Sequence, residues 1–238
     1  MLLSKKKMFL FFKVSKAAST TVEQALPLEN CRNNEALRDF WKNFSNAYGI
    51  ESGYNHPSVA SHINMRVIKH HDILPDSVLS KLTKFCFVRN PWDRMVSEYH
   101  ARGAQEPFED FIRAIPEMVN SLYQEQFYTD FDHYSKVEHF IPQYDYVYDA
   151  EGNKILDFVG KFENLKEDFD EIYNKVYGEQ CSINAVANKI NRSNHEHYSK
   201  YYNEETKGII AQAYAKDIEA FGYSFEEPAK GWTETERL

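Results

Sequence analysis

Lys16 heads a run of small and hydroxylated residues, Ala17, Ala18, Ser19, Thr20 and Thr21, just after the apolar stretch MFLFFKV (residues 8–14). A cation, three hydroxyls and backbone amides left open by small side chains form a cradle for a phosphate or sulfate group. The pattern is not G-x-x-x-x-G-K-[ST], because the lysine leads the loop and no glycine is present. Arg89 is a second such point, at the end of KFCFV (84–88) and ahead of a turn through Asn90 and Pro91. Its planar, always charged fork suits a phosphate, and Ser97 in the following helix lies within reach of the same group. A magnesium-dependent nucleotidase would want an acid at such a strand end. An arginine there argues instead for a second phosphate held without metal.

The elements that must position these groups follow from hydrophobic pattern. MFLFFKV reads as a buried strand and residues 22–26 as the start of a helix that ends at Pro27. Residues 82–88 contain a second buried strand. Pro91 suits a first helical turn, and Trp92, Met95, Val96 and Tyr99 repeat at helical spacing. Tyr144 to Tyr148 and Lys154 to Phe162 flank a turn at 149–152, and DFVGKF (157–162) leads into an amphipathic helix over 165–177. Residues 203–221 are predicted helical, with Ile209, Ile210, Ala213, Ile218 and Phe221 on one side. Strands alternating with helices predict an α/β fold, a three-layer sandwich with a mainly parallel central sheet and right-handed crossovers. Ligands in such sheets lie at the carboxyl ends of the strands, where both junctions fall. Residues 30–65 and 104–142 give the weakest patterns and are expected to shape a substrate cleft. The aromatic stretch Phe127 to Tyr148 has the chemistry to stack sugars, though such density more often means packing.

Composition removes whole classes. The chain has 238 residues, 42% of them hydrophobic, with 8 Pro and 9 Gly, enough for a proper core and unlike a disordered or fibrous protein. Its longest apolar run is five residues, against the ~20 of a membrane span. Three widely spaced cysteines (Cys31, Cys86, Cys181) suggest neither a disulfide framework nor a zinc site. A formal charge of −8 argues against nucleic acid. Yet residues 1–21 carry five lysines and no acid, whereas 104–181 carry six bases and eighteen acids. Short basic islands at 1–21, 84–103 and 182–202 in an acidic chain point to a compact anion site assembled from separate loops.

SKAASTT resembles the 5′-phosphosulfate loop, often written P-K-T-A-G-T-S, of sulfotransferases that use 3′-phosphoadenosine-5′-phosphosulfate (PAPS). FVRNPWDRMVSEY resembles their 3′-phosphate segment in the form found in the carbohydrate (family 2) sulfotransferases. Lys69-His70, FVGKFENLKEDF (158–169), NRSNHEHYSKYYNEET (191–206) and YAKDIEAFGYSF (214–225) follow in that family's order. The loop departs from the pattern in lacking its proline, glycine and first threonine. The resemblance implies a P-loop-like sulfotransferase fold forming a single domain over 1–238, with a catalytic core of about 8–225 and a tail of 226–238. It implies sulfuryl transfer from PAPS to a hydroxyl, expected on a carbohydrate, leaving 3′,5′-adenosine bisphosphate. Lys16 would stabilise the charge that develops as sulfate leaves. Ala17, Ala18, Ser19, Thr20 and Thr21 would hold the 5′-phosphate, Arg89 and Ser97 the 3′-phosphate, and Arg192, Ser193 and Tyr198 would close over the nucleotide.

Removing a proton from the acceptor hydroxyl calls for a base near neutral pH, and histidine fits. Among nine histidines, His70 is expected in that role from the Lys69-His70 match, with His71 and His62 as rivals. His195 and His197 form an H-x-H pair, but no third ligand stands near and no metal is expected. The other readings are an ATP–magnesium phosphotransferase and a nucleotide-binding relative that has lost its base. A soluble, bacterial, cytoplasmic enzyme without a membrane anchor is expected.

Overall fold

A computed structural model describes residues 1–4, 6–27, 42, 62–180, 183 and 196–226. Arg192, Ser193, His195, Cys31, Cys181 and most of 30–65 lie outside the described residues. The centre is a four-stranded sheet in the order β1-β2-β3-β4, with β1 Leu2–Ser4, β2 Phe9–Phe12, β3 Thr83–Val88 and β4 Phe158–Lys161. β2, β3 and β4 run parallel, in registers Phe12↔Cys86 and Val88↔Lys161, while β1 joins β2 antiparallel. Every residue of β2 is buried, as are Phe85 to Val88 of β3, which is why both read as unbroken apolar runs.

The first strand is shorter than its sequence suggests. Met8 has φ +54° and is 41% exposed, so the chain turns there before entering the sheet. β1 was not foreseen, because three residues beside a lysine run carry no periodicity. The helices flank this sheet. α1 (Ser19–Ala25) starts three residues before the expected Val22, α2 is Met65–His70 and α3 is Asp76–Leu79. α4 (Pro91–Ala101) begins as predicted, with Pro91 in its first turn and the Asn90 side chain accepting from Trp92 N at 3.1 Å.

Residues 104–142 are helical: α5 (Phe108–Ser121), α6 (Gln126–Thr129), α7 (Phe131–Val137) and a 3-10 turn at Glu138–Phe140. The aromatic residues there mostly pack, since Phe127, Tyr134, Phe140 and Tyr146 are buried. Tyr144–Val147 forms a short helix, α8, and only Tyr148 bridges to Lys154 across the turn, which Gly152 makes at φ +85°. α9 spans Leu165–Tyr177, as expected. The helix predicted over 203–221 is two, α10 (Glu204–Ala213) and α11 (Ala215–Phe221). They break at Tyr214, whose ring is fully buried with its hydroxyl donating to Phe140 O at 3.1 Å.

Two apolar clusters result. The larger joins the sheet to α1, α2, α8 and α9. The smaller joins Trp92, Met95 and Val96 of α4 to Phe111, Ile112 and Ile115 of α5 and Ile210 of α10. α4 therefore leaves the sheet at Arg89 and anchors in the second cluster, which fixes the bend from both sides.

Gly160 is required by close approach. It pairs with Phe87, and a Cβ there would lie 2.6 Å from Phe87 Cδ1 and 3.1 Å from Asp168 Cβ. Phe87 is 1% exposed and has nowhere to move. Gly160→Ala is expected to destabilise the fold by about 1–3 kcal/mol in urea denaturation. An unchanged midpoint would show that β4 does not pack as described.

Candidate functional site

The first junction is a tight turn with unusual backbone. After β2 the chain passes Lys13 and Val14, then turns over 15–18, with Lys16 and Ala18 both at φ +60°. Ala18 is the N-cap of α1 and has no side-chain hydrogen bond to offer, so small size and not capping chemistry selects it. The Ser19 hydroxyl donates to Val14 O, which ties the start of α1 back to the strand. Thr20 is exposed, Thr21 partly so, and Ala17 is buried against the core. The buried hydroxyl of Ser15 has no partner among the described residues. Burial presses the Lys16 pKa down; Glu98 opposes that and Arg89 adds to it. Lys16, Glu98 and Arg89 thus share one electrostatic neighbourhood.

The second junction meets the first directly. Arg89 Nη1 donates to Lys16 O at 3.0 Å, across 73 residues of sequence. Its Nε donates to Asp93 Oδ2 at 2.8 Å, and the guanidinium lies 4.1 Å from the centre of the Phe162 ring. The side chain is 8% exposed, so this charge is held in place and not free to swing. Ser97, on α4 about two turns beyond the bend, is 4% exposed. Asp93, in the first turn of α4, is what orients the arginine.

The histidines separate. His62 Nδ1 lies 2.6 Å from Lys13 O, so the ring carries its hydrogen there and leaves Nε2 with a lone pair. Its own carbonyl accepts from Tyr146 OH at 2.6 Å. Burial and the neighbouring His139 push its pKa well below 6.5, against the Lys13 hydrogen bond. The two rings stand perpendicular with centres 4.7 Å apart. His139 Nδ1 is 3.0 Å from both carboxylate oxygens of Glu98, and Arg102 Nε donates to the same carboxylate at 2.7 Å. Burial raises the Glu98 pKa, but those two partners outweigh it and hold the carboxylate charged. His70 lies elsewhere, at the exposed C-terminal end of α2, with its ring stacked 4.4 Å from Tyr128 and 4.6 Å from His71.

The structure therefore brings together Lys16, Ala17, Ala18, Ser19, Arg89, the candidate base His62 and, unexpectedly, Glu98 and His139. Glu98 could have been flagged as an acid on the buried stripe of α4, next to Ser97; nothing in the sequence marks His139. Tyr198 is buried, donating to Phe225 O at 2.7 Å and packing edge-on to that ring. His197 caps the turn that begins at Tyr198 by accepting from Ser199 N. Among the described residues no group of three or more His, Cys, Asp or Glu side chains is placed to hold a metal ion. No helix among them is long and apolar enough to cross a membrane.

The left-handed Ala18 gives a direct test of the loop. A β-carbon at that φ costs about 1 kcal/mol that glycine would avoid. Ala18→Gly is expected to raise stability by up to about 1 kcal/mol, read by urea denaturation. A loss of stability of that size would show that residue 18 is not left-handed.

Comparison with known proteins shows the family. Residues 1–224 match a family described as the sulfotransferase family. No curated protein and no solved structure is a significant match. The match spans both junctions and every described element of the sheet. The chain belongs to the sulfotransferase family and resembles its carbohydrate (family 2) members.

Proposed function

We propose that the protein transfers a sulfuryl group from PAPS to a carbohydrate hydroxyl, with the nucleotide's two ends held by the two junctions. The observation that carries this is the Arg89–Lys16 contact, which sets two cationic loops side by side at the ends of adjacent parallel strands. The donor supplies an activated sulfuryl group and a bisphosphate leaving group. The residues present suit it: a lysine in a turn of small residues, a buried hydroxyl at Ser15 with no partner among the described residues, and an arginine already oriented by Asp93. α1 has only seven residues, so the charge of Lys16 and the amides of 18–21, the Ala17 N–H being given to Val14 O, carry more of the binding than a helix dipole.

In the reaction the acceptor oxygen forms a bond to sulfur while the bond from sulfur to the 5′-phosphate oxygen breaks. Lys16 stabilises the negative charge gathering on that oxygen. Thr20 and Thr21 with their hydroxyls, and Ser19 through its main-chain N–H because its hydroxyl is given to Val14 O, hold the 5′-phosphate, and Arg89 with Ser97 the 3′-phosphate. Tyr198 anchors the segment that, with Arg192 and Ser193, closes over the nucleotide. The acceptor's proton passes to His62 Nε2, in place of His70. His62 is the better candidate because it is fixed at ring and backbone beside Lys13, three residues before Lys16, whereas His70 stacks on Tyr128.

Thermal shift checks the donor class: 3′,5′-adenosine bisphosphate should raise Tm by several degrees, since saturation at about 100 times Kd contributes ~2.7 kcal/mol. A shift with ATP–magnesium alone would contradict the reading. Against an acceptor panel with PAPS, His62→Ala should lower kcat roughly 10²–10⁴-fold with little change in the KM for PAPS. His70→Ala should stay near wild type, and the opposite pattern would return the base to His70. A base must be neutral to act, so kcat should fall with acid only below pH 6.5, in line with the lowered pKa of His62. An acid limb centred above that value would exclude His62.

A further inference from the structure

The bend that carries Arg89 poses a backbone problem. The β3–β4 ladder ends at Val88 paired with Lys161, yet Arg89 is 7% exposed, so its own N–H and C=O need partners inside the protein. One side chain meets both needs. Gln143 Oε1 accepts from Arg89 N at 2.8 Å, and Gln143 Nε2 donates to Arg89 O at 2.8 Å. The amide thus replaces the missing strand residue beside the arginine. Gln143 is fully buried and lies just ahead of α8, 54 residues away in sequence.

Gln143 is itself held by a buried acid. Asp217, on α11, accepts from Gln143 N at 2.9 Å and Gln143 Nε2 at 3.3 Å through Oδ2, and from Tyr144 N at 2.9 Å through Oδ1. Burial pushes its carboxyl up to about 6, with Arg94 and these N–H donors working the other way. At neutral pH it therefore remains the acceptor of all three bonds. Arg94 Nη1 also donates to Ile141 O at 3.2 Å, so the segment leading to Gln143 is pinned as well. A buried carboxylate is costly to keep, and its bonds all end on the residue that grips Arg89 and on that residue's neighbour.

We propose that Gln143 and Asp217 are positioning residues for the 3′-phosphate: they set the backbone of Arg89, and so the direction from which its guanidinium reaches the nucleotide. This rests on the reading of Arg89 as the 3′-phosphate ligand. The side-chain contacts of Arg89 with Asp93, Lys16 O and Phe162 define where the fork lies once its Cα is fixed. Gln143 and Asp217 define the Cα. Neither touches the nucleotide, so loosening them should weaken the 3′-phosphate contact and leave the 5′-phosphate loop intact.

The test is calorimetric titration at pH 7.5 with 3′,5′-adenosine bisphosphate and with adenosine 5′-monophosphate. Gln143→Asn withdraws the amide from Arg89 while leaving the main-chain bonds to Asp217. Asp217→Asn keeps the shape but removes the charge. Both should raise the bisphosphate Kd about tenfold or more, with the monophosphate Kd within about twofold of wild type. If the two ligands weaken together, or the preference for the bisphosphate stays at the wild-type ratio in Gln143→Asn, the positioning role is overturned. Should Asp217→Asn not fold, Gln143→Asn alone decides. A wild-type protein with no preference for the bisphosphate would instead remove the reading of Arg89 on which the inference stands.

Discussion

The contact between the Arg89 guanidinium and the carbonyl of Lys16 is the constraint on which the site depends. It closes a gap of 73 residues and turns two separate strand ends into one cationic surface. Each partner is fixed independently. The Lys16 turn is set by its left-handed backbone and by Ser19 reaching back to Val14. The arginine is set by Asp93 on its side chain and Gln143 on its backbone. Parallel pairing of β2 with β3 makes the contact possible, because both bends then emerge at the same edge of the sheet.

Charge in this region is balanced before any ligand arrives. Arg89 has Asp93, Lys13 has Glu23 at 2.6 Å, and Glu98 has Arg102 and His139. Lys16 has no ion pair among the described residues and is partly buried, with its pKa lowered chiefly by that burial. A partly desolvated cation over a bed of compensated charges has the electrostatics that the proposed anion site needs, even in an acidic protein. The acids of 104–181 are spent largely elsewhere, on exposed pairs such as Arg113 with Asp110 and on turns such as Asp149 with Asn153.

Most of the sheet and its two junctions were legible because their determinants are local. Unbroken apolar runs mark buried parallel strands, and Asn90-Pro91 marks a helix start. The helix of 165–177 was readable, since the polar pair Glu163-Asn164 precedes it and Gly178 ends it at φ +74°. What escaped is long-range. β1 exists only through pairing with β2, and the break at Tyr214 exists only because its ring is drawn under Arg94. Among histidines, local sequence favoured His70 at the end of an apolar stretch. Which histidine meets Lys13 and which meets Tyr128 is set by long-range contacts, Tyr146 of α8 with the His62 carbonyl and Tyr128 of α6 with the His70 ring, which no local pattern encodes.

The joining of the two loops around one nucleotide is tested most directly by phosphorus NMR of bound 3′,5′-adenosine bisphosphate, whose two phosphates give separate resonances. In the wild-type protein both should shift on binding. Arg89→Ala should return the 3′ resonance toward its free position and leave the 5′ resonance displaced, while Lys16→Ala should do the reverse. If each substitution moved both resonances equally, or neither, the two junctions would not divide the nucleotide as proposed.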